Sequence, residues 1–280
     1  MKISVVIPVY NEEKYIHQCL SSLKNQVVQP YEIIMVDNNC TDKTVEIAKR
    51  FNIKILRESK QGISHARNKG YNAARGDIIA RCDADCILNP NWIKRISQNF
   101  ETNKNISGLI GPLEFYDLPV KNVMPFFKFY ILTMKRLLGQ YPFNGPNMAI
   151  SMKMWNQIKD KVCLDDKLFH EDIDLSIHVI KNKGRIVYDS KLKVQFSARR
   201  IKNEPKSFFE EYPDRVIETY KKHFPESIES KFILFNAKLF VQGIHSIYSF
   251  FNSSSDVVSA GDLSSLKRSR RGKRKASPEL

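Results

Sequence analysis

Short apolar runs alternate with amphipathic stretches along the first 110 residues. Short continuous apolar runs are typical of strands buried on both faces, and the stretches between them are long enough for crossover helices. The pattern therefore predicts an α/β fold with a mostly parallel sheet flanked by helices. The apolar runs are Ile3–Val9, Ile33–Val36, Ile53–Leu56, Ile78–Ala80 and Leu109–Ile110.

Three of the amphipathic stretches predict helices. In the first, apolar residues recur at helical spacing from Tyr15 to Leu23, and Asn11 precedes them as the expected N-cap. The same reasoning predicts helices over Thr41–Phe51 and Ser64–Ala74. Each helix should cover the sheet with its apolar face.

The alternation stops after Gly111. Residues 123–138 are apolar with interleaved Lys and Arg, which predicts an amphipathic helix lying across a cleft or on a membrane. A second unit follows and should complete the same domain. Its predicted elements are a strand at Met148–Ile150, a helix from Glu171 with Gly184 as its C-cap, and strands at Ile186–Tyr188 and Val194–Phe196.

The C-terminal part of the chain differs in composition from the rest. Residues 232–251 are largely apolar, but Asn236, Lys238, Gln242 and His245 interrupt them, so an interfacial or packed helix is expected rather than a membrane span. Residues 252–280 are rich in Ser, Asp and Gly and then in Lys and Arg, which predicts a disordered basic tail. The predicted organisation is a main domain over 1–225 (with halves 1–110 and 111–225), a helical extension over 226–251, and the tail over 252–280.

Composition and charge narrow the class of protein. The 280 residues are 42% hydrophobic with 11 Gly and 12 Pro, which excludes a disordered, collagen-like or repeat-dominated chain. The net charge is +15, and residues 1–266 retain +9, which favours an anionic substrate or surface. Five scattered cysteines and an N-terminal segment without a signal pattern lead us to expect a reducing, cytoplasmic location.

Polar and acidic residues follow three of the predicted strands, at residues 10–12, 37–39 and 83–85. In a parallel sheet the carboxyl ends of the strands form the ligand crevice. Asp83 and Asp85 are two residues apart, so in an extended backbone both carboxylates would point to the same side. Such oxygen ligands suit Mg²⁺ or Mn²⁺ shared with phosphate oxygens. The alternative is a solvated turn.

Cys82 and Cys86 bracket this acidic pair and raise the question of a zinc site. No second Cys or His pair stands at zinc-finger spacing, so that interpretation is weak. His65, His170 and His178 are expected to be packed or hydrogen-bonded residues rather than ligands.

Five motifs occur in register over roughly residues 1–200. They are VVIPVYNEE at 5–13, IMVDNNCTD at 34–42, GISHARNKG at 62–70, DAD at 83–85 and EDIDL at 171–175. In this order and spacing they resemble the nucleotide-sugar-dependent glycosyltransferases of family 2, which have the Rossmann-like GT-A fold.

The resemblance assigns a donor site to this chain. It implies that Pro8, Tyr10 and Glu12 line the nucleoside pocket, while Asp37 accepts a hydrogen bond from the base. A carboxylate facing an imide N–H favours uracil, hence a UDP-sugar. The remaining implied roles are Arg67 near the base or phosphate, Asp83 on the ribose and Asp85 on Mn²⁺ or Mg²⁺. Without the resemblance, Asp37 would be a turn residue before a helix capped by Thr41 or Asp42.

Asp172 matches the position of the family's catalytic base. Such a carboxylate takes a proton from the acceptor hydroxyl as that oxygen attacks the anomeric carbon, so the sugar's configuration is inverted. Glu171 is a candidate contact for the diphosphate or the acceptor. Simple capping at the start of a helix is the structural alternative for Glu171, Asp172 and Asp174.

The chain departs from the family pattern at three places. Many relatives have a metal-binding His on a late strand, whereas here Arg199 and Arg200 follow Phe196 and could hold the diphosphate or be an exposed basic pair. A Gln-x-x-Arg-Trp motif is missing, so transfer of one sugar per encounter is expected rather than processive synthesis. Asn38 replaces a second Asp.

The predicted function is metal-dependent transfer of a single sugar, with inversion, from a nucleoside-diphosphate sugar to a hydroxyl of a glycan or lipid-linked acceptor in polysaccharide biosynthesis. The apolar and basic residues of 123–138 and 232–251 indicate peripheral binding to an anionic cytoplasmic leaflet, with packing against the domain as the alternative. A nucleic-acid or polyanion-binding protein and a sugar nucleotidyltransferase are the competing functions. The acidic rim argues against the first, and a missing Gly-rich phosphate loop argues against the second.

Overall fold

The computed structural model describes residues 1–117, 131–136, 138–199 and 211–225. Within them, a seven-stranded sheet has the order β3-β2-β1-β4-β8-β6-β9, and a three-stranded sheet has the order β5-β10-β7. The strands are β1 (Ile3–Val9), β2 (Glu32–Asp37), β3 (Lys54–Arg57), β4 (Ile78–Arg81), β5 (Cys86–Leu88), β6 (Gly108–Ile110), β7 (Leu113–Phe115), β8 (Met148–Ser151), β9 (Ile186–Tyr188) and β10 (Val194–Phe196).

Helices flank the sheet, as the sequence predicts. Residues 131–136 are also helical, which agrees with the helix expected over 123–138 for the described part of that segment. The bounds are α1 (Ile16–Lys24), α2 (Thr44–Lys49), α3 (Ile63–Ala73), α4 (Trp92–Thr102), α5 (Met152–Ile158), α6 (Glu171–Lys181) and α7 (Tyr212–His223).

The large sheet is mixed but mostly parallel. β1 pairs in parallel with β2 and β4, and β2 pairs in parallel with β3. β8 is antiparallel to both β4 and β6. The predicted α/β class with a mostly parallel sheet is therefore confirmed.

Alternate residues of the central strands pack into different cores. Val5 and Ile7 belong to a core completed by α1 and α4, whereas Val6 belongs to a second core that includes Tyr71 and Trp155. Every residue of β1 is buried, which explains why the strand is apolar except for Ser4, whose hydroxyl donates to Glu32 Oε1 at 2.7 Å. Burial of each large apolar side chain contributes about 1.5–3 kcal/mol.

Two predicted helix caps are wrong. α1 begins at Ile16, and Asn11 instead takes a left-handed conformation (φ 55°), with its Oδ1 accepting a hydrogen bond from the Thr41 N–H at 2.8 Å. At the end of α6 the left-handed residue is Lys183, whereas a Cβ on Gly184 would lie 2.6 Å from Val179 Cγ1. Close packing, not backbone conformation, therefore explains that glycine.

The predicted helix over Thr41–Phe51 is shorter in the structure. α2 covers Thr44–Lys49, and Asp42 Oδ1 accepts the Thr44 N–H at 2.9 Å. The N-cap of this helix is Lys43, so neither Thr41 nor Asp42 is the cap, although the Asp42 carboxylate satisfies one of the free N–H groups at the helix start.

The helical extension over 226–251, the tail over 252–280 and Arg200 lie outside the described residues. No helix among those that are described is long and apolar enough to cross a bilayer.

Candidate active site

The carboxyl ends of β1, β2 and β4 lie side by side. Val9 pairs with Asp37, and Val6 pairs with Arg81 at the end of β4. Pro8 is buried within β1, whereas Tyr10 just beyond it is 52% exposed. The predicted nucleotide residues of the first two strands therefore meet at one edge of the sheet.

Arg81 is the centre of a buried ionic network at this edge. Its Nη1 donates to both carboxylate oxygens of Glu171 at 2.9 and 3.0 Å and to Asp172 Oδ1 at 3.1 Å. Its Nη2 donates to Asp83 Oδ1 at 3.2 Å. One guanidinium, 2% exposed, thereby joins the end of β4 to the first turn of α6.

Arg67 belongs to the same network. Its Nη1 donates to Glu171 Oε2 at 2.8 Å and to the Glu171 carbonyl oxygen at 3.1 Å, and the residue is fully buried. Its Nη2 has no hydrogen-bond partner among the described residues. Arg67 thus anchors α6, while its expected contact with a nucleotide stays a prediction.

The two neighbouring acids of α6 have opposite pKa shifts. Burial raises the pKa of Glu171, but the charges of Arg81 and Arg67 outweigh burial and hold this pKa well below its usual range. Burial, followed by the negative charge of Glu171, raises the pKa of Asp172. Opposite shifts in adjacent carboxyls are typical of acid and base assignments in enzymes.

Gly145 holds the second oxygen of Asp172. Its backbone N–H donates to Asp172 Oδ2 at 2.7 Å, from a 3₁₀ turn (Gly145–Asn147) that directly precedes β8. A Cβ at this position would lie 2.6 Å from Arg81 Nη2 and 3.0 Å from Asp172 Oδ2. Only a glycine therefore lets the backbone approach both side chains.

Asp83 and Asp85 lie on a turn between β4 and β5, so the extended backbone predicted for them is wrong. The cause is that β4 ends at Arg81 and a turn leads into β5, with the Cys86 N–H donating to the Asp83 carbonyl oxygen at 3.2 Å. The two carboxylates are held by different arginines. Asp83 contacts Arg81, while Asp85 Oδ2 accepts a hydrogen bond from Arg199 Nε at 3.1 Å.

Arg199 forms a second ionic group with Glu12 and Asp85. Its Nη2 pairs with Glu12 Oε1, and its guanidinium lies over the Tyr15 ring at 4.6 Å from the centroid. Its side chain is 21% exposed. The exposed basic pair considered as an alternative is therefore wrong for Arg199.

Asp117 fixes the backbone that leads to Arg199. Its carboxylate accepts a hydrogen bond from Ser197 Oγ and another from the Ala198 N–H, both at 2.7 Å. These contacts place Arg199 beside the end of β1 and the turn at Asp85.

Asp37 and Asn38 organise the loops at the end of β2. Asp37 Oδ1 accepts the Cys40 N–H at 2.8 Å, which is the contact expected of a turn residue. Asn38 is buried, donates to the Glu58 and Lys60 carbonyls and accepts the Gly62 N–H at 2.8 Å. The Asn at this position therefore joins β2 to the segment before α3.

The carboxylates of Glu12, Asp83 and Asp85 interact at one rim of the sheet and supply the oxygen ligands that a divalent cation prefers, but among the described residues their oxygens are not gathered at one point. Burial raises the pKa of Glu12, Arg199 opposes this, and the negative charges of Asp85 and Asp83 raise it further, so the three acids are close enough to interact. Glu12 Oε2 is buried without a hydrogen-bond partner among the described residues. Carboxylate oxygens are the ligands preferred by Mg²⁺ and Mn²⁺.

The cysteines near this turn are structural. Cys82 and Cys86 are fully buried, and Cys82 Sγ lies 4.0 Å from Cys19 Sγ. The hydrogen bond with Cys19 and burial raise the pKa of Cys82, and burial raises that of Cys86, so both thiols are protonated. Neither has the thiolate character of a zinc ligand.

Sequence reasoning missed Arg81, Gly145 and Asp117. An arginine at the end of a buried apolar strand was a usable signal, because such a charge requires buried partners. Gly145 and Asp117 had no local signal, since their partners Asp172 and Ser197 are distant in sequence.

Acidic residues lie at the carboxyl ends of the parallel strands, and the second half of the sheet contains the antiparallel strand β8. This arrangement defines the class of GT-A fold glycosyltransferases. The chain belongs to glycosyl transferase family 2, whose family model matches residues 4–157. It is 30% identical over 242 residues to the glycosyltransferase MJ1057 of Methanocaldococcus jannaschii, covering 81% of this chain and 82% of that protein.

Other relatives match over shorter regions. Identity is 35% over 162 residues with the glycosyltransferase GlyG of Streptococcus pneumoniae, covering 51% of this chain and 52% of that protein. With EpsH of Bacillus subtilis, a glycosyltransferase by name, the match covers 34% of this chain and 29% of the relative. The chain thus spans about a third to a half of the length of these relatives.

Solved glycosyltransferase structures share the fold at low identity. The mannosyltransferase PcManGT of Pyrobaculum calidifontis, in complex with GDP-Man and Mn²⁺, has a TM-score of 0.67 at 13% identity, covering 92% of this chain and 80% of that one. TarS 1-349 of S. aureus, in complex with UDP-GlcNAc, has a TM-score of 0.62 at 21% identity, covering 84% and 70%.

Proposed function

We propose that this glycosyltransferase transfers one sugar, with inversion, from a nucleoside-diphosphate sugar to a hydroxyl of a glycan or lipid-linked acceptor, with Mn²⁺ or Mg²⁺ as cofactor. The observation that carries the proposal is the contact of Asp172 with Arg81 and Gly145, next to Glu171 and at the same rim as Asp83 and Asp85.

Asp172 is the proposed general base. Its raised pKa makes it a better proton acceptor than an ordinary aspartate, because proton transfer from a hydroxyl is less uphill when the conjugate acid is weaker. Arg81 and Gly145 fix both oxygens, so the carboxylate keeps one orientation. Glu171 stays ionised and strengthens the basicity of its neighbour.

The nucleoside pocket is proposed at Pro8, Tyr10 and Asp37. Asp37 lies half-buried at the end of β2, where its carboxylate is placed to accept an imide N–H of the base. This preference supports a UDP-sugar donor. A related structure, TarS 1-349, was crystallised with UDP-GlcNAc.

Asp85 would hold the divalent cation, with Glu12 and Asp83 beside it. When bound, such an ion neutralises the diphosphate that leaves the sugar. Arg199 contacts Asp85 and Glu12 in the structure, so its guanidinium stands where it can pair with diphosphate oxygens once those carboxylates bind the ion. Two of the related structures contain Mn²⁺.

The donor test is thermal unfolding of the chain with UDP-, GDP- and dTDP-sugars, with and without Mn²⁺. A ligand that binds only the folded state raises its stability. We expect the largest rise for a UDP-sugar together with Mn²⁺. Equal rises for all three nucleotides would contradict recognition of the base by Asp37.

The test of the base is Asp172→Asn, with the exposed Asp160→Asn as matched control. Asp172→Asn should lower kcat by about 10²-fold or more and leave donor binding intact, whereas the control should behave like the wild type. Normal turnover by the Asp172 variant would reject the assignment. Release of pyrophosphate instead of a nucleoside diphosphate would indicate a nucleotidyltransferase.

We also propose peripheral binding to an anionic cytoplasmic leaflet, through the apolar and basic residues of 123–138 and 232–251. The full chain should float with anionic vesicles at low salt and be released at high salt, because each basic residue near the surface contributes only about 1 kcal/mol. A variant with Lys and Arg of 267–275 changed to Gln controls for the tail. Loss of flotation in that variant would assign the binding to the tail instead.

A further inference from the structure

Asp174, His178 and His223 form a compact cluster between α6 and α7, which begins two residues beyond Asp172. Asp174 and His178 are four residues apart and therefore lie on the same face of α6, while His223 is the last residue of α7. The side chains are 0%, 12% and 6% exposed, respectively. The proposed function assigns no role to the imidazoles of His178 and His223.

The ligand atoms of the cluster converge on one point. Asp174 Oδ1 lies 2.8 Å from His223 Nε2 and 3.7 Å from His178 Nε2, and the three atoms lie within 4.8 Å of one another. In a tetrahedral zinc site with bonds of about 2.0 Å the ligand atoms are roughly 3.3 Å apart. The observed separations bracket that value.

One ring nitrogen of the cluster, His178 Nε2, is available to bind a metal ion. His178 Nε2 is buried and has no hydrogen-bond partner among the described residues. The other oxygen of Asp174 is held by the Cys163 N–H at 2.7 Å, so the carboxylate is fixed in orientation while Oδ1 faces the two rings. A fixed carboxylate beside a free imidazole nitrogen is typical of metal ligands.

We propose that these three side chains bind a Zn²⁺ ion, with water as its fourth ligand, and that this ion fastens α7 to α6. Two imidazole nitrogens and one carboxylate oxygen suit a borderline metal such as zinc, in contrast to the all-oxygen set of the candidate active site, which suits Mg²⁺ and Mn²⁺.

The ammonium group of Lys181 lies beside His223 and would repel a bound Zn²⁺. Lys181 Nζ lies 3.2 Å from His223 Nδ1 and 3.1 Å from the His223 carbonyl oxygen. When zinc binds Nε2 of the neutral His223 ring, the ring proton is on Nδ1. Nδ1 then cannot accept a hydrogen bond from Lys181, which keeps only its contact with the His223 carbonyl oxygen. Lys181 therefore tunes the affinity downward.

The zinc would also help to hold α6, the helix that carries Asp172. α7 already contacts the residue before α6, because Thr219 Oγ1 accepts the His170 N–H at 2.8 Å. Fixing the far end of α7 to Asp174 would hold α6 at two points, on either side of Asp172. The inference itself needs no catalytic role for that residue.

The experiment is equilibrium dialysis of the full chain against Zn²⁺ in excess Mg²⁺, followed by metal analysis and thermal unfolding. Mg²⁺ occupies the oxygen sites, so bound Zn²⁺ reports on the cluster. We expect stoichiometric Zn²⁺ and a higher Tm for the wild type. His178→Gln and His223→Gln should weaken Zn²⁺ binding by about 10-fold or more. Lys181→Met should strengthen it.

Two controls separate this site from others. His17→Gln removes an exposed imidazole outside the cluster and should bind like the wild type. Asp85→Ala should also retain the zinc, since it removes a ligand of the candidate active site alone. Circular dichroism of each variant without metal verifies folding. Absence of stoichiometric Zn²⁺ in the wild type, or unchanged binding in both folded cluster variants, overturns the proposal.

Discussion

Arg81 Nη1 lies 3.1 Å from Asp172 Oδ1, so a guanidinium at the end of β4 contacts the proposed base in the first turn of α6. The same nitrogen also contacts both oxygens of Glu171. The position of Asp172 relative to the central sheet therefore depends on the buried guanidinium of Arg81. Arg81 is 90 residues from Glu171 and 91 residues from Asp172 in the sequence.

Arg81→Met should destabilise the protein strongly. The change leaves Glu171 and Asp172 buried without their shared cation, and breaking a buried ion pair in this way typically costs ~3–5 kcal/mol. Chemical denaturation measures the loss. Arg50→Met is the matched control, because Arg50 pairs with Glu46 on the surface, where both side chains are more than half exposed and such a pair contributes about 0–1 kcal/mol. Equal losses in the two variants would contradict the assigned importance of the network.

Gly145→Ala should lower activity more than stability. The new Cβ would fall 2.6 Å from Arg81 Nη2 and 3.0 Å from Asp172 Oδ2, so both side chains must move. A displacement of about 1 Å at a catalytic group can cost about 10²-fold in rate. Steady-state kinetics and thermal unfolding of the same preparation test this expectation, and unchanged kcat would show that the contact of Gly145 with Asp172 is dispensable.

Activity should fall as the pH is lowered. A general base works only when deprotonated, and the pKa of Asp172 is raised by burial and then by Glu171, so the acid limb should lie above the usual range of an aspartate. The profile of kcat/KM against pH measures this limb. Glu171→Gln removes the negative charge that raises the pKa of Asp172 and should move the limb to lower pH, and Asp172→Asn should abolish it.

The two acids have opposite linkage to stability. The folded pKa of Glu171 is depressed, so its contribution is present above the unfolded value of 4.5 and is lost as the pH falls through the folded pKa. The folded pKa of Asp172 is raised, so its contribution is complete below the unfolded value of 3.8 and is lost as the pH rises through the folded pKa. In the wild type, the free energy of unfolding should therefore decrease as Asp172 ionises at higher pH. Asp172→Asn should lack this decrease, and chemical denaturation at several pH values can detect the difference.

The sequence was sufficient for the sheet and its rim. β1 is apolar except at Ser4 because both of its faces are buried, and the strands at Ile186–Tyr188 and Val194–Phe196 have the predicted bounds. These features depend on local periodicity, which a sequence displays directly.

Tertiary contacts decided what the sequence did not predict. Asn11 resembled a helix cap but contacts Thr41, and Gly184 resembled a C-cap but is a point of close packing. The pairing of Arg199 with Asp85 joins residues 114 positions apart, so no local pattern encodes it. The site residues were identified by motif, whereas their ionic partners came only from the fold.

Arg199 should compete with a divalent cation for Asp85. In the structure its Nε donates to Asp85 Oδ2 at 3.1 Å and its Nη2 pairs with Glu12, so the ion must displace a charge-assisted contact before it binds. Arg199→Met removes the competitor and should lower the Mn²⁺ concentration for half-maximal donor binding by about 10-fold, the equivalent of about 1.4 kcal/mol. The same variant should bind the nucleoside diphosphate less tightly at saturating Mn²⁺, because it lacks the guanidinium proposed to contact the phosphates.

Calorimetric titrations of the nucleotide at fixed Mn²⁺, and of Mn²⁺ at fixed nucleotide, separate these two effects. Arg185→Met, at an exposed arginine before β9, is the matched control and should change neither. If Arg199→Met instead needs more Mn²⁺ than the wild type, the guanidinium supports the ion rather than competing with it. The apparent competition at Asp85 would then be a feature of the unliganded site alone.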